Sequence, residues 1–248
     1  MPSEFTAVVL TQNEEDILGR TLSALQDVAS ELLVVDSGST DGTVALAKTF
    51  GARVLERPMT HWADQRNWAF EQARHPWILV VDADEVANGA LVEALKRWKE
   101  QTHAQGSRWR IRRKHHFMGQ KMRFSGLQSD APIRLVSAGE RYEPRAVHEK
   151  LEGRASGVLS GHLEHYTFKS WPLWQEKLRG YARRSAADHA ATTPRVTVWH
   201  WHLKPAFRFV KHFLLRGGFL DGKAGFWYSY SMWCAVRWRY EELKKMRP

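Results

Sequence analysis

Three short apolar runs, each ending in a polar cluster, constrain this chain more than anything else in it. Phe5–Leu10 (FTAVVL) runs into Thr11-Gln12-Asn13-Glu14, and Glu31–Asp36 (ELLVVD) into Ser37-Gly38-Ser39-Thr40-Asp41-Gly42-Thr43. Trp77–Asp82 (WILVVD) runs into Ala83-Asp84-Glu85. Short β-branched and aliphatic runs of this kind read as buried strands. Glu14–Val28 follows the first run with Ile17, Leu18, Leu22 and Leu25 at helical spacing; Asp41–Phe50, Trp62–Ala73 and Gly89–Glu100 are further helices, and Arg53–Leu55 a short strand. Strands alternating with helices form βαβ units, so the spacing predicts an α/β fold with a mainly parallel sheet flanked by helices. Ligands bind beyond the carboxyl ends of such strands, and all three polar clusters belong on that edge.

Beyond residue 100 the pattern loosens. Arg108–Lys114, Ile133–Val136 and Gly157–His162 are strand candidates, Gln175–His189 is a helix, and Phe226–Lys245 a final helix. Phe207–Arg216 reads as a helix with Phe207, Val210, Phe213 and Leu214 on one face. A compositional shift near residue 195 divides the chain into an α/β domain, residues 1–194, and a helical extension, residues 195–248.

Charge divides the chain earlier, into an acidic front and a basic back. Residues 1–100 hold 9 Lys/Arg against 16 Asp/Glu, residues 101–194 hold 17 against 8, and residues 195–248 hold 11 against 3. The basic back points to an anionic partner, nucleic acid or an anionic membrane surface. Its 13 aromatics favour the membrane, where Trp and Tyr rings settle at the interface. Arg112-Arg113-Lys114-His115-His116 is a separate basic run, suited to an anionic acceptor or to a solvated strand edge. The single cysteine, Cys234, leaves no intrachain disulfide. The N-terminus lacks the features of a signal peptide, and the longest uncharged run, Ala224–Val236, is short of the roughly 20 residues a spanning helix needs. The expected location is cytoplasmic, peripheral on the inner face of the cytoplasmic membrane.

Asp82-Ala83-Asp84 after an apolar strand suits a divalent cation that also holds a diphosphate, because hard oxygen ligands select Mg2+ or Mn2+. Taken alone, two aspartates after a strand also make a helix cap and turn. The Asp36–Thr43 stretch likewise has a structural reading, with Asp41 capping a helix and Gly38 or Gly42 making the turn.

The order of Thr11-Gln12-Asn13-Glu14, the Asp36–Thr43 loop, Gln65-Arg66-Asn67 on a helix, and Asp82-Ala83-Asp84-Glu85 resembles the family 2 glycosyltransferases with a GT-A fold. Val147-His148-Glu149-Lys150-Leu151, His165-Tyr166 and Phe219-Leu220-Asp221-Gly222 resemble, more loosely, the bacterial branch that adds glucose to the lipopolysaccharide inner core. The resemblance implies that Thr11, Asn13, Glu14, Asp36 and Ser37 line the nucleotide-sugar pocket, with Asp36 accepting from the base. It implies that Arg66 lies near the base or diphosphate, Asp82 faces the ribose, and Asp84 holds a Mg2+ or Mn2+ ion that His165 completes. Glu85 belongs around that ion without touching it. Inverting transfer needs a general base, and Glu149 is the candidate; a surface pair with Lys150 is its other reading. Processive synthases carry Gln-x-x-Arg-Trp, whereas here Cys234 stands in the Gln place before Arg237-Trp238. The expectation is therefore transfer of one sugar, glucose from UDP-glucose, to a lipid-linked saccharide.

Three other classes compete. A nucleic-acid-binding module would use the basic, aromatic back, but an acidic strand edge repels phosphate unless a metal is present. A nucleotidyltransferase opens with a Gly-rich basic loop, which Thr11-Gln12-Asn13-Glu14 is not. An inactive scaffold has no need of a full carboxylate set. Trp199-His200-Trp201-His202 has the look of a metal-binding pair but reads as an alternating strand or loop.

Overall fold

A computed structural model describes residues 3–143, 151, 154–168, 170–190, 192, 193 and 195–246. The chain divides into two compact units. One comprises the described residues of Met1–Arg113, Asp130–Arg145 and Glu149–His165; the other those of Lys114–Ser129 and Tyr166–Pro248.

The first unit is built on β1 (Phe5–Thr11), α1 (Glu15–Leu25), β2 (Glu31–Asp36), α2 (Thr43–Thr49), β3 (Arg53–Glu56), α3 (Trp62–Gln72) and β4 (Trp77–Asp82). A three-residue strand β5 (Glu85–Ala87), helix α4 (Gly89–Lys99), β6 (Arg108–Phe117), β7 (Gln120–Lys121), β8 (Ile133–Ser137) and β9 (Gly157–Phe168) follow along the chain, β7 and the last residues of β6 and β9 being counted with the second unit. The sheet order is β3-β2-β1-β4-β8-β6-β9-β5, with β7 beside β6.

The first four strands in that order are parallel, with Val8 level with Leu33 and with Val80. Apolar clusters cover both faces. Val9, Val34, Leu79 and Val81 pack on Leu18, Leu22 and Leu25 of α1 and Leu91 and Leu95 of α4. Val8, Leu33, Ile78 and Val80 pack on Ala63, Ala69 and Phe70 of α3. Burial on both faces is why these strands read as unbroken apolar runs. Each fully buried Leu contributes roughly 1.5–3 kcal/mol. The sheet then changes character: β8 runs antiparallel to both β4 and β6, and β5 antiparallel to β9. Parallel pairing is thus confined to one half. The short β5 has no counterpart among the expected elements, because three residues carry no periodicity.

The second unit is helical around α5 (Trp171–His189), α6 (Lys204–Val210) and α7 (Gly222–Lys245). Trp174 and Leu178 of α5 pack on Tyr228 of α7, and Ala186 on Val236, Tyr240 and Leu243. Alpha6 continues at both ends into π-helical turns, Trp199–Leu203 and Lys211–Leu215. Trp199-His200-Trp201-His202 is therefore helical, not an alternating strand or loop: His200 Nδ1 accepts from the Thr197 hydroxyl at 2.9 Å and its ring meets Tyr240 edge-on. Cys234 is buried within α7, and Arg237 lies over the Trp201 and Trp233 rings.

Phe219-Leu220-Asp221-Gly222 proves to be a structural joint. The Asp221 carboxylate, 4 % exposed, accepts the Arg123 N–H at 2.8 Å, the Phe124 N–H at 3.0 Å and the Ser125 hydroxyl at 3.0 Å. Gly217 and Gly222 bracket it at φ of +69° and +59°, which only glycine adopts without strain.

Candidate active site

The site is assembled at the carboxyl ends of β1, β2 and β4. The loops after β1 and β2 are laced together. The Ser37 N–H donates to the Thr11 carbonyl at 2.9 Å. Asn13 takes a left-handed conformation, φ +55°, so that its side-chain oxygen accepts the Thr40 N–H at 2.8 Å while its own N–H donates to Ser39 Oγ at 2.8 Å. The Glu14 N–H donates to Thr43 Oγ1 at 2.8 Å. Asp41 accepts the Thr43 N–H at 3.0 Å, but the residue that caps α2 is Gly42, one position later than the sequence reading placed it. The buried Asp36 carboxylate accepts the Gly38 N–H at 3.0 Å, the Ser39 N–H at 2.8 Å and the Ser39 hydroxyl. It shapes its own loop.

Two buried polar atoms beside this lattice have no partner among the described residues: Thr11 Oγ1 and Gln65 Oε1. Gln65 Nε2 donates to Ser37 Oγ at 3.3 Å and to the Arg57 carbonyl at 3.0 Å, which ties the same amide group to Ser37. A buried acceptor left unsatisfied costs about 1–3 kcal/mol.

The Asp82–Glu85 loop is held from behind. Thr21 Oγ1 donates to the Ala83 carbonyl at 2.7 Å, and the Ala83 N–H donates to the Leu10 carbonyl at 3.2 Å. Asp82 is clamped by two arginines, Arg66 at 3.1 Å and Arg134 at 3.0 Å. Arg134 also pairs with Glu85, as does Arg113 at 3.0 Å, and Arg113 reaches on to Asp130 at 2.8 Å. Glu85 is fully buried and Arg134 nearly so, hence each needs the other. Burial alone would raise the Asp82 carboxyl, but the charges of Arg134, Arg66 and Arg113 outweigh it and hold it well below the usual range. Burial likewise disfavours the Arg134 cation, and Glu85 and Asp82 overcome this, holding it protonated. Arg66 is steadied by the rings of Trp62 and Tyr142, at 5.7 and 5.2 Å. Asn67 anchors Tyr142 through paired bonds at 2.9 and 2.7 Å. The consecutive Gln65, Arg66 and Asn67 thus have three separate tasks.

Strand β5 explains how His165 arrives. Glu85 stands opposite His165 in the β5–β9 register, which brings His165 Nε2 to 3.4 Å from Asp84 Oδ1. Burial disfavours the imidazolium, but Asp84 and Glu85 raise its pKa above the ordinary value. Carboxylate and imidazole together fit Mg2+ or Mn2+, which keep waters and substrate phosphates as most of their ligands. Among the described residues no group of three or more His, Cys, Asp or Glu could hold a metal ion.

The structure therefore gathers Thr11, Asn13, Glu14, Asp36 and Ser37 in one lattice, and Arg66, Asp82, Asp84 and His165 in a second cluster with Glu85. Glu149 lies outside the described residues, as does His148. Sequence reasoning missed Arg134 and misplaced Arg113. Arg134 is the one charge in a strand buried at all five positions, a signal that demands a buried partner. Arg113 sat in a basic run, but strand alternation turns it inward with Ile111 while Arg112 and Lys114 stay exposed. The argument that an acidic edge repels phosphate fails as stated, because three arginines neutralise much of it.

A parallel strand edge with laced polar loops, followed by an aspartate loop and an antiparallel extension that returns a histidine to it, defines a GT-A glycosyltransferase fold. The chain belongs to glycosyl transferase family 2, which it matches over residues 6–158. It is 28 % identical to the lipopolysaccharide core biosynthesis glycosyltransferase LpsC of Rhizobium meliloti, over 89 % of this chain and 84 % of that one. An uncharacterized glycosyltransferase of Rickettsia felis is 33 % identical over 93 residues, 38 % of this chain and 33 % of its own length. The S. aureus TarS fragment 1–349, crystallised with UDP-GlcNAc, superposes with a TM-score of 0.54 over 96 % of this chain and 92 % of that one, at 14 % identity.

Proposed function

We propose that this chain transfers one glucose from UDP-glucose, with inversion, to a lipid-linked saccharide of the lipopolysaccharide inner-core type. The observation that carries the reading is the Asp84–His165 pair, 3.4 Å apart at the end of β4. Likeness to LpsC over most of both chains supports the acceptor class.

In this reading residues 1–194 are the catalytic domain and residues 195–248 the extension. Thr11 Oγ1 and Gln65 Oε1, orphaned in the free protein, receive polar groups of the nucleotide, and Ser37 lies between them. Asn13, Glu14 and Asp36 hold the loops in the receiving shape. Arg66 lies beside Asp82, where the ribose and diphosphate would pass. Asp84 and His165 would hold Mg2+ or Mn2+. When bound, that ion supplies Lewis-acid stabilisation of charge on the departing diphosphate. Glu149 takes the proton from the acceptor hydroxyl. The acceptor's lipid anchor places the enzyme at the anionic inner face of the cytoplasmic membrane. Family membership weighs against the nucleic-acid and nucleotidyltransferase readings, and the clustered carboxylates against an inactive scaffold.

The test is mass analysis of a lipid-linked core saccharide after incubation with the protein, Mn2+ and separate nucleotide sugars. The expected product carries one added hexose, from UDP-glucose. Addition of N-acetylhexosamine would overturn the donor assignment, and several added sugars the single-transfer assignment. No addition from any donor would sink the reading.

A further inference from the structure

The second unit contains a helix with its apolar stripe on the wrong side for a water-soluble protein. Trp199, Leu203, Phe207, Val210 and Leu214 recur at intervals of four, four, three and four and so share one face. They are 53, 51, 60, 39 and 54 % exposed. Leu215, Phe219 and Leu220 extend the exposed surface through the turn, at 71, 51 and 59 %. A surface helix buries such a stripe. Single exposed leucines are ordinary, but a contiguous apolar patch marks an interaction. Nor is the helix misdocked. Its other side buries Pro205 and His212, and Phe209 and Phe213 meet the α7 ring of Phe226 edge-on at 5.7 and 6.0 Å. An apolar recess of about 300 Å³, lined by Ala206, Phe209, Val210, Tyr230 and Trp233, adjoins the stripe at Val210.

We infer that this stripe is a membrane seat, lying flat in one leaflet of an anionic bilayer. Charge decides the occupant. Residues 196–220 carry Lys204, Arg208, Lys211 and Arg216, all half-exposed, and no acid, and the next acid along the chain, Asp221, is buried in its cap. Cations beside an inserted apolar face find anionic headgroups at the depth where the aliphatic chains find acyl tails. A second copy docked by a two-fold axis would set these cations against their own images. Single-stranded nucleic acid would use the cations and rings but leave Leu203, Val210, Leu214 and Leu220 in water. From Trp199 to Leu215 the helical path is about 25 Å long at ~1.5 Å per residue, sufficient to lie along a leaflet. No helix of the described residues is long and apolar enough to cross one.

The inference deepens the membrane-facing part of the proposed function and rests on that reading only for why a membrane is needed. The experiment is flotation of the full chain with vesicles of phosphatidylcholine alone and with a quarter phosphatidylglycerol, beside calorimetric titration of UDP with Mn2+. Wild type is expected to float with the anionic vesicles and far less with the neutral ones. Phe207→Ser with Leu214→Ser should weaken partitioning at least tenfold, while thermal unfolding and UDP binding stay as in wild type. Lys204→Gln with Lys211→Gln should weaken it about fivefold per charge removed and flatten its salt dependence. Wild type that does not float, or a serine pair that floats unchanged, overturns the seat. A wild-type dimer in sedimentation that the serine pair dissociates, without vesicle binding, replaces the bilayer with a second copy. Vesicle binding without UDP binding sinks the transferase reading and leaves the seat standing.

Discussion

The strand-edge site and the α6 segment break the rule of apolar inside, polar outside in opposite directions. Beta8 is buried throughout, yet carries Arg134, which meets Glu85 and Asp82. Alpha6 and its flanking turns are wetted on one side, yet that side carries Phe207 and Leu214. Neither violation stabilises a fold better than an ordinary residue would. Buried ion pairs roughly break even against apolar side chains of similar size, and exposed leucines contribute little. What they teach is where selection has favoured something besides stability: a field of fixed charges in one region and a sticky surface in the other.

The comparison breaks first at Arg134. Arg134→Met leaves buried Glu85 with Arg113 alone and half-buried Asp82 with Arg66 alone, and should destabilise the protein by up to about 3 kcal/mol. Denaturant unfolding measures this. Adding Glu85→Gln should recover part of the loss, since one under-compensated buried charge goes. An Arg134→Met protein as stable as wild type would mean that the network is not needed to hold the loop.

Glu149 sharpens the comparison by asking whether the chemistry belongs with the charged region. Glu149→Gln should lower turnover about a hundredfold or more, the scale of a lost general base, with UDP affinity unchanged. Steady-state kinetics with the lipid-linked acceptor decides it, and unchanged turnover removes Glu149 from the mechanism. The smallest effect is expected on the other side. Phe207→Ser with Leu214→Ser should alter folding stability by no more than about 0.5 kcal/mol per site, the usual range for surface positions. A loss of several kcal/mol would show that the stripe is packed in solution and is no free surface.

Much of the site was legible because it lies on regular elements. Unbroken apolar runs predict β1, β2 and β4, and a strand's end predicts where its polar cluster goes. That Asp41 binds an N–H at the start of α2 followed from residue type and position, although the cap itself is Gly42. The rest depended on pairings that local pattern does not carry. His165 reaches Asp84 only through β5, three residues long, whose register with β9 is a long-range event. Arg113 hid within a run of positive charge, where composition says solvated and strand alternation says half inward. The helical face through Phe207, Val210 and Leu214 was read as apolar, but Phe213, read with them, packs against Phe226 on the other side; periodicity reports that a face exists and is silent on what covers it. The Asp36 carboxylate, expected to wait for a base, is already engaged by its own loop, because short acidic side chains bind nearby N–H groups readily.

The central claim is that Asp84, with His165, makes nucleoside-diphosphate binding depend on a divalent ion. It is tested most directly by calorimetric titration of UDP into wild type and Asp84→Ala, with and without Mn2+. The account predicts tight binding by wild type only with Mn2+, and loss of the Mn2+-dependent part in a variant whose fold is intact by circular dichroism. Equal UDP binding by wild type and variant with Mn2+ present would contradict it.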